Sequence, residues 1–373
     1  MSTNDPQCAA SNPLFSERKL KLGTFGTNIN NALAFTTVDE RFRATWPDTL
    51  AVARLADQML FEAIVPVARW KGFGGASNLG GDSFETYTWA AGLGAQTQNS
   101  CVLATSHVPT VHPLMAAKHA TTIDHITNGR FALNIVCGWV KDELELFGNP
   151  LMAHDEAYDY AAEWVEVLRK LWTIDGEFDH NGKYFQMRGA CHDPKPIQRP
   201  RPPLMNAGSS EKGRHFAAKY CDMAFIQQQE RGMDALSTRV KAMRELAARE
   251  YGRDIQIWSY AYVVQAETEK EARDYLQYYA GERGDREGAL NLMRARRPDL
   301  DENAPLVKEL VFEMMAGWNG YPLIGTKEQV ADALAALSHA GLDGCLLGWV
   351  DFESGMRQFQ HDTLPLLQQM GLR

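Results

Sequence analysis

Phe131-Ala132-Leu133-Asn134-Ile135-Val136-Cys137 is an apolar run broken by a single carboxamide, and it follows directly on Pro113 to Ile126, which reads as a helix. A short, apolar, partly β-branched segment has no polar face, so it reads as a strand buried on both sides within a parallel sheet. Upstream of it the same alternation repeats. Leu20 to Thr27, Phe61 to Ala68 and Ser100 to Ser106 read as strands, separated by helices at Pro47 to Leu60 and Phe84 to Ala95. Downstream, Val165, Leu168, Leu171 and Trp172 recur at helical spacing inside a long helix from about Asp155. Tyr184 to Arg188 is a small excursion before a proline-rich approach. Leu204 to Ala207, Met223 to Gln227, Trp258 to Val264 and Gly344 to Val350 complete eight strands. Strand and helix alternating in this way predict an α/β fold, a (β/α)8 TIM barrel with insertion segments.

A chain of 373 residues fits one such barrel. Residues 1–19 are expected to be a flexible N-terminal arm and 20–373 a single domain. The stretch 282–322, long, charged and glycine-containing, breaks the rhythm before the last strand. Insertions of that length in a barrel tend to be lids, and the plainer reading is a surface helical excursion.

The net charge of −9 argues against a nucleic-acid surface, which needs a basic footprint. Six cysteines without a CxxC pair fit neither a zinc cage nor a disulfide framework, so a reducing cytoplasm is expected. No signal-peptide core and no membrane-spanning run is evident.

Barrel chemistry gathers at the carboxyl ends of the strands. Gly208-Ser209-Ser210 before a helix at Glu211 reads as an N-terminal cap, whose free N–H groups suit a phosphate; an ordinary cap is the plain alternative. Arg69 and Lys71 stand beside Gly72-Phe73-Gly74-Gly75, where a guanidinium could hold a phosphate or a carbonyl, or the loop could be a glycine turn with solvated charges. Thr105 and Asn134 end neighbouring strands and could polarise a bound group without titrating. His107 and His112 are too irregularly placed for a metal site, and no GxSxG elbow is present.

Several stretches carry a resemblance. Ala120-Thr121-Thr122-Ile123-Asp124-His125-Ile126-Thr127-Asn128-Gly129-Arg130, with Phe131 to Trp139, resembles the signature of the bacterial-luciferase-like flavin monooxygenases. Arg69 to Gly75 and His154-Asp155-Glu156-Ala157-Tyr158-Asp159-Tyr160 resemble the branch holding pyrimidine and dimethylsulfone monooxygenases. Leu323-Ile324-Gly325-Thr326 through Leu346-Leu347-Gly348 is similar to the dimethylsulfone enzymes. The likeness runs from about Leu20 to Leu367.

The resemblance implies a barrel of the luciferase type that uses reduced FMN and O2. It implies flavin contacts at Ala68, Arg69, Asn134, Glu143, Ala157, Tyr158 and the Gly208-Ser209-Ser210 turn, with Ser210 on the phosphate. Ala157 stands where the pyrimidine enzymes carry arginine, which leaves only a backbone contact there. Thr105 and Asn134 match the pair that holds oxygen near the flavin in the pyrimidine branch, with Val65 as an apolar wall and Trp139 on the substrate side. The implied reaction passes through a flavin peroxide and cleaves a C–N bond of a small N-heteroaromatic or cyclic amide. The alternative is C–S cleavage of a small organosulfur compound. An NAD(P)H:flavin reductase partner and a homodimer or homotetramer are also implied. From other classes, a deazaflavin-dependent reductase and a non-catalytic flavin-binding protein share this barrel.

Overall fold

The computed structural model describes residues 12–227, 232–297, 299–302 and 304–373. β1 (Lys21–Phe25), β2 (Ala63–Val65), β3 (Cys101–His107) and β4 (Phe131–Val136) lie side by side. A hairpin of β5 (Phe178–Asn181) and β6 (Gln186–Ala190) then leaves the sheet, realising the excursion expected around Tyr184. β7 (Leu204–Asn206), β8 (Met223–Phe225) and β9 (Gln256–Gln265) continue the ring. After β10 (Tyr321–Gly325), β11 (Gly344–Gly348) pairs with both β9 and β1, which closes eight parallel strands into a barrel. β10 is a ninth, peripheral strand on the carboxyl half of β9, and the sequence reading had placed no strand there. It contains Pro322, which an edge strand tolerates where the missing N–H faces away from the ladder.

Side chains alternate across each strand as the pleat requires. Ala63, Val65, Cys101, Leu103, Ala132, Met205, Met223, Trp258 and Leu346 share the barrel interior. Ile64, Val102, Ala104, Leu133, Leu204, Ala224, Ile257 and Leu347 pack outward under the helices. The parity carries forward: Thr105 and His107 follow Leu103 inward, and Asn134 follows Ala132. Three polar side chains therefore enter the barrel at its carboxyl end because of strand geometry alone.

Of the arm expected over residues 1–19, residues 1–11 lie outside the described residues. From Asn12 onward the segment is packed. Asn12 Nδ2 donates to Gln198 Oε1 at 2.9 Å, and Leu14, fully buried, joins the barrel's inner core beneath Trp258. It plugs the end of the barrel opposite the strands' carboxyl ends.

The insertion folds into two helices, Arg286–Arg296 and Pro305–Gly317. Asp285 fastens its start to the loop after β2, accepting from Ser77 N at 2.8 Å and Ser77 Oγ at 2.6 Å. Gly75, at φ +71°, allows this approach, because a Cβ there would stand 2.4 Å from the Asp285 carboxylate. The glycines of this loop thus seat the insertion. Among the described residues, no helix is long and apolar enough to cross a membrane.

Candidate functional site

The carboxyl ends of β2, β3 and β4 meet at one hydrogen-bonded cluster. Register pairs Thr105 directly with Asn134. Thr105 Oγ1 donates to the Pro66 carbonyl at 2.7 Å, and Asn134 Nδ2 donates to Thr105 Oγ1 at 3.1 Å. The Pro66 oxygen can only accept, so the Thr105 proton is committed to it, and the atom facing Thr105 from Asn134 must be an N–H. The chain reaction of donors leaves Asn134 with one further N–H and with Oδ1, which is buried without a partner.

These residues line a cavity of about 730 Å³ at the barrel mouth, with Val65, Ala68, Arg69, His107 and Trp139. Its walls are aromatic. Phe225 stacks on Tyr260 with centroids 5.9 Å apart, Phe25 meets Tyr260 edge-on at 5.5 Å, and Trp139 and Trp318 complete the upper rim. No aspartate or glutamate lines it among the described residues.

Arg69 is buried in this wall and is held on three sides. It forms an ion pair with Glu143 at 3.1 Å, donates to the Lys71 carbonyl at 2.7 Å, and lies 4.0 Å above the Phe73 ring. Burial lowers its pKa to about 10, against the attraction of Glu143. Glu143 comes from the short helix Lys141–Leu146 and lines neither cavity; its Oε1 also accepts from Trp70 N at 2.7 Å and Lys71 N at 3.1 Å. Glu143 therefore acts through the shape of the Arg69 loop. Lys71 instead pairs with Asp142 on the surface at 2.8 Å.

His107 is buried in the same wall with Nδ1 unpartnered. Desolvation, aided by the Arg69 charge, lowers its pKa to about 3, so the ring is neutral at physiological pH.

A second cavity of about 1100 Å³ adjoins the first, sharing Val136, Trp139, Ala207 and Gln227. It is lined by Ala157, Tyr158, Gly208, Ser209 and Ser210. Ser210 caps the helix Glu211–Tyr220, its Oγ accepting from Gly213 N at 3.1 Å. Gly208 sits against the Tyr158 hydroxyl and Gly213; a Cβ there would come within 2.6 Å and 2.7 Å of them. The first-turn N–H groups of this helix have no intrahelical acceptor, and the dipole favours an anion beside them.

The structure thus gathers Thr105, Asn134, Val65, Ala68, Arg69 and Trp139 around one cavity and Ala157, Tyr158, Gly208, Ser209 and Ser210 around its neighbour. Sequence reasoning did not place Arg296, Trp318, Tyr260 or Phe25 at the site. Trp318 and Arg296 belong to the insertion, whose internal packing has no strand parity to point a side chain in either direction.

A parallel barrel with its polar groups at the carboxyl mouth and an adjoining helix N-terminus is the layout of a phosphorylated-cofactor enzyme. Residues 24–344 match the family model described as luciferase-like monooxygenase, and the chain belongs to that family. It is a flavin-dependent monooxygenase. It is 29% identical over 358 residues to the FMNH2-dependent dimethylsulfone monooxygenase of Pseudomonas putida, spanning 94% of this chain and 96% of that one. It is 31% identical over 359 residues to the pyrimidine monooxygenase RutA of Cronobacter turicensis, spanning 94% and 93%. Among solved structures it resembles riboflavin lyase (RcaE) with modified FMN and substrate riboflavin, at a TM-score of 0.84 and 23% identity over 95% of this chain and 92% of that chain.

Proposed function

We propose that this protein binds reduced FMN delivered by a separate NAD(P)H:flavin reductase and uses O2 to oxygenate and cleave a C–N bond in a small N-heteroaromatic or cyclic amide. The observation that carries this reading is the Thr105–Asn134 pair, fixed by the Pro66 carbonyl and facing an apolar wall at Val65. FMN fits the residues present. The unmet Asn134 Oδ1 and His107 Nδ1 call for a partner at the ring cavity, and the turn Gly208-Ser209-Ser210 lines the adjoining cavity beside a helix N-terminus. Bound FMN supplies the redox chemistry with oxygen.

The chain's own residues do the rest. Ser210, Ser209 and the first turn of the helix Glu211–Tyr220 hold the phosphate. Asn134 offers its second N–H toward oxygen from a fixed position, so the donor needs no reorganisation when charge develops. Val65, Phe25 and Phe225 keep water from the reacting face. His107 stays neutral and leaves Arg69 and Arg296 as the charges of the cavity. The insertion 282–322 acts as the lid over this face, since it contributes Arg296 and Trp318 to the rim.

C–S cleavage of a small organosulfur compound is the second reading, favoured by the dimethylsulfone relative at nearly the same identity as the pyrimidine one. A turnover screen with FMNH2, O2 and both compound sets separates the two. Ring-opened products support the first reading and aldehyde with sulfinate or sulfite the second. No oxygen-dependent product from either set contradicts both.

A further inference from the structure

Arg296 is the unmatched charge of the cavity. It ends the helix Arg286–Arg296, two residues after Arg294, and the two arginines are treated very differently. Arg294 pairs with Glu287 at 2.8 Å and with Glu302 at 2.7 Å. Arg296 makes no ion pair and no hydrogen bond among the described residues. Its guanidinium lies 5.1 Å from the Trp139 ring centroid and 5.9 Å from that of Trp318. Those rings hold the cation in place without satisfying its five donors.

The surroundings distinguish this arginine from one that merely complements its own helix. A guanidinium that merely complements the dipole of its helix would face the last-turn carbonyls or solvent. This one lines the cavity, and burial within the protein lowers its pKa, with no carboxylate opposing that shift and only Tyr260 doing so. The residue as a whole is exposed, which places it at the open rim of the cavity and not in its interior. The other arginine of the cavity repels it: the Arg296 charge adds to the lowering of the pKa of Arg69, which Glu143 already neutralises. Among the described residues the cavity therefore carries one positive charge without an ion-pair partner, held over aromatic surface at the rim that the insertion builds.

We propose that the substrate carries an oxoanion group, a carboxylate or a sulfonate, which pairs with Arg296 while the carbon to be oxygenated is presented to Thr105 and Asn134. This rests on the monooxygenase reading above and narrows it: neutral pyrimidines and neutral dialkylsulfones would leave the guanidinium unpaired, whereas an oxoanion can offer two oxygens to two of its donors at once.

Matched pairs test it within either scaffold. Uracil and orotate differ by a carboxylate; dimethyl sulfone and methanesulfonate differ by an anionic oxygen in place of a methyl group. FMN-loaded protein is titrated with each by calorimetry, for wild type, Arg296→Met and Arg296→Lys. The expected result is at least tenfold tighter binding of the anionic member of one pair. That preference is lost in Arg296→Met and partly kept in Arg296→Lys, with FMN affinity within threefold of wild type in both. Equal or tighter binding of the neutral members in both pairs overturns the proposal. So does an Arg296→Met variant that weakens FMN and leaves the anion preference intact, since the guanidinium would then serve the cofactor. Failure of wild type to take up FMN strikes the parent reading instead, and the same comparison is then made on the flavin-free protein.

Discussion

Asn134 owes its orientation to a chain of one-way hydrogen bonds, and the role proposed for it depends on that chain. The Pro66 carbonyl forces the Thr105 hydroxyl to donate, and the hydroxyl in turn forces the carboxamide to present its nitrogen. Both residues were legible in the sequence as polar groups ending apolar strands, because burying them without partners would be costly. His107 was legible only as an isolated histidine. Its burial shows it to be a neutral wall residue. Its pKa near 3 against an ordinary 6.5 means that between those values the unfolded chain binds a proton the folded chain does not. The stability contribution is thus complete above pH 6.5 and is lost as pH falls toward 3, by about 1.4 kcal/mol per pH unit. Urea unfolding of wild type and His107→Gln between pH 6 and 4 is expected to show that extra slope in wild type alone. Parallel curves would mean that His107 titrates normally.

At the scale of elements, the N-terminus of the helix Glu211–Tyr220 carries the phosphate assignment. The tripeptide Gly208-Ser209-Ser210 told of a cap, and the structure adds what the tripeptide could not: the Tyr158 hydroxyl packed against the glycine, and a cavity opening between them. Ser210→Ala removes a cap worth about 1 kcal/mol and one hydroxyl from the phosphate's reach. FMN binding is expected to weaken by roughly five- to tenfold, in line with that loss, while riboflavin, which lacks the phosphate, binds as before. Fluorescence titration with both flavins checks it; equal weakening of the two would place the phosphate elsewhere. The glycines at 72–75 teach the opposite lesson. Their composition allowed close backbone approach, and what approaches Gly75 is Asp285 of the insertion, while Gly72 packs against Asn78 and Gly81 of its own loop. Sequence alone cannot tell which surface a glycine makes room for when that surface lies two hundred residues away.

For the whole molecule, eight strands and their order were legible because buried parallel strands advertise themselves as short apolar runs. β10 and the plug at Asn12–Leu14 were not, since each is defined by what it touches and not by its own pattern. The same holds for the rim. The strand-borne half of the cavity follows from strand parity, whereas Arg296 and Trp318 arrive from an insertion whose direction only the fold sets. The finished molecule is a barrel packed below by the segment at Asn12–Leu14, with Arg296 and Trp318 of the insertion joining Thr105 and Asn134 in the wall of one cavity at its mouth.

The most direct test of that account is rapid mixing of FMNH2-loaded protein with oxygenated buffer, for wild type and Thr105→Val, with the flavin absorbance followed in time. The account predicts that bound reduced flavin in wild type reoxidises along a course distinct from that of free FMNH2, with a transient unlike either the reduced or the oxidised form. It predicts that Thr105→Val, which still binds FMN, frees the Asn134 carboxamide from its fixed orientation and so diminishes that transient by about 10²-fold, the loss associated with one preorganised donor. Reoxidation of the wild-type complex along the same course as free FMNH2 would contradict it.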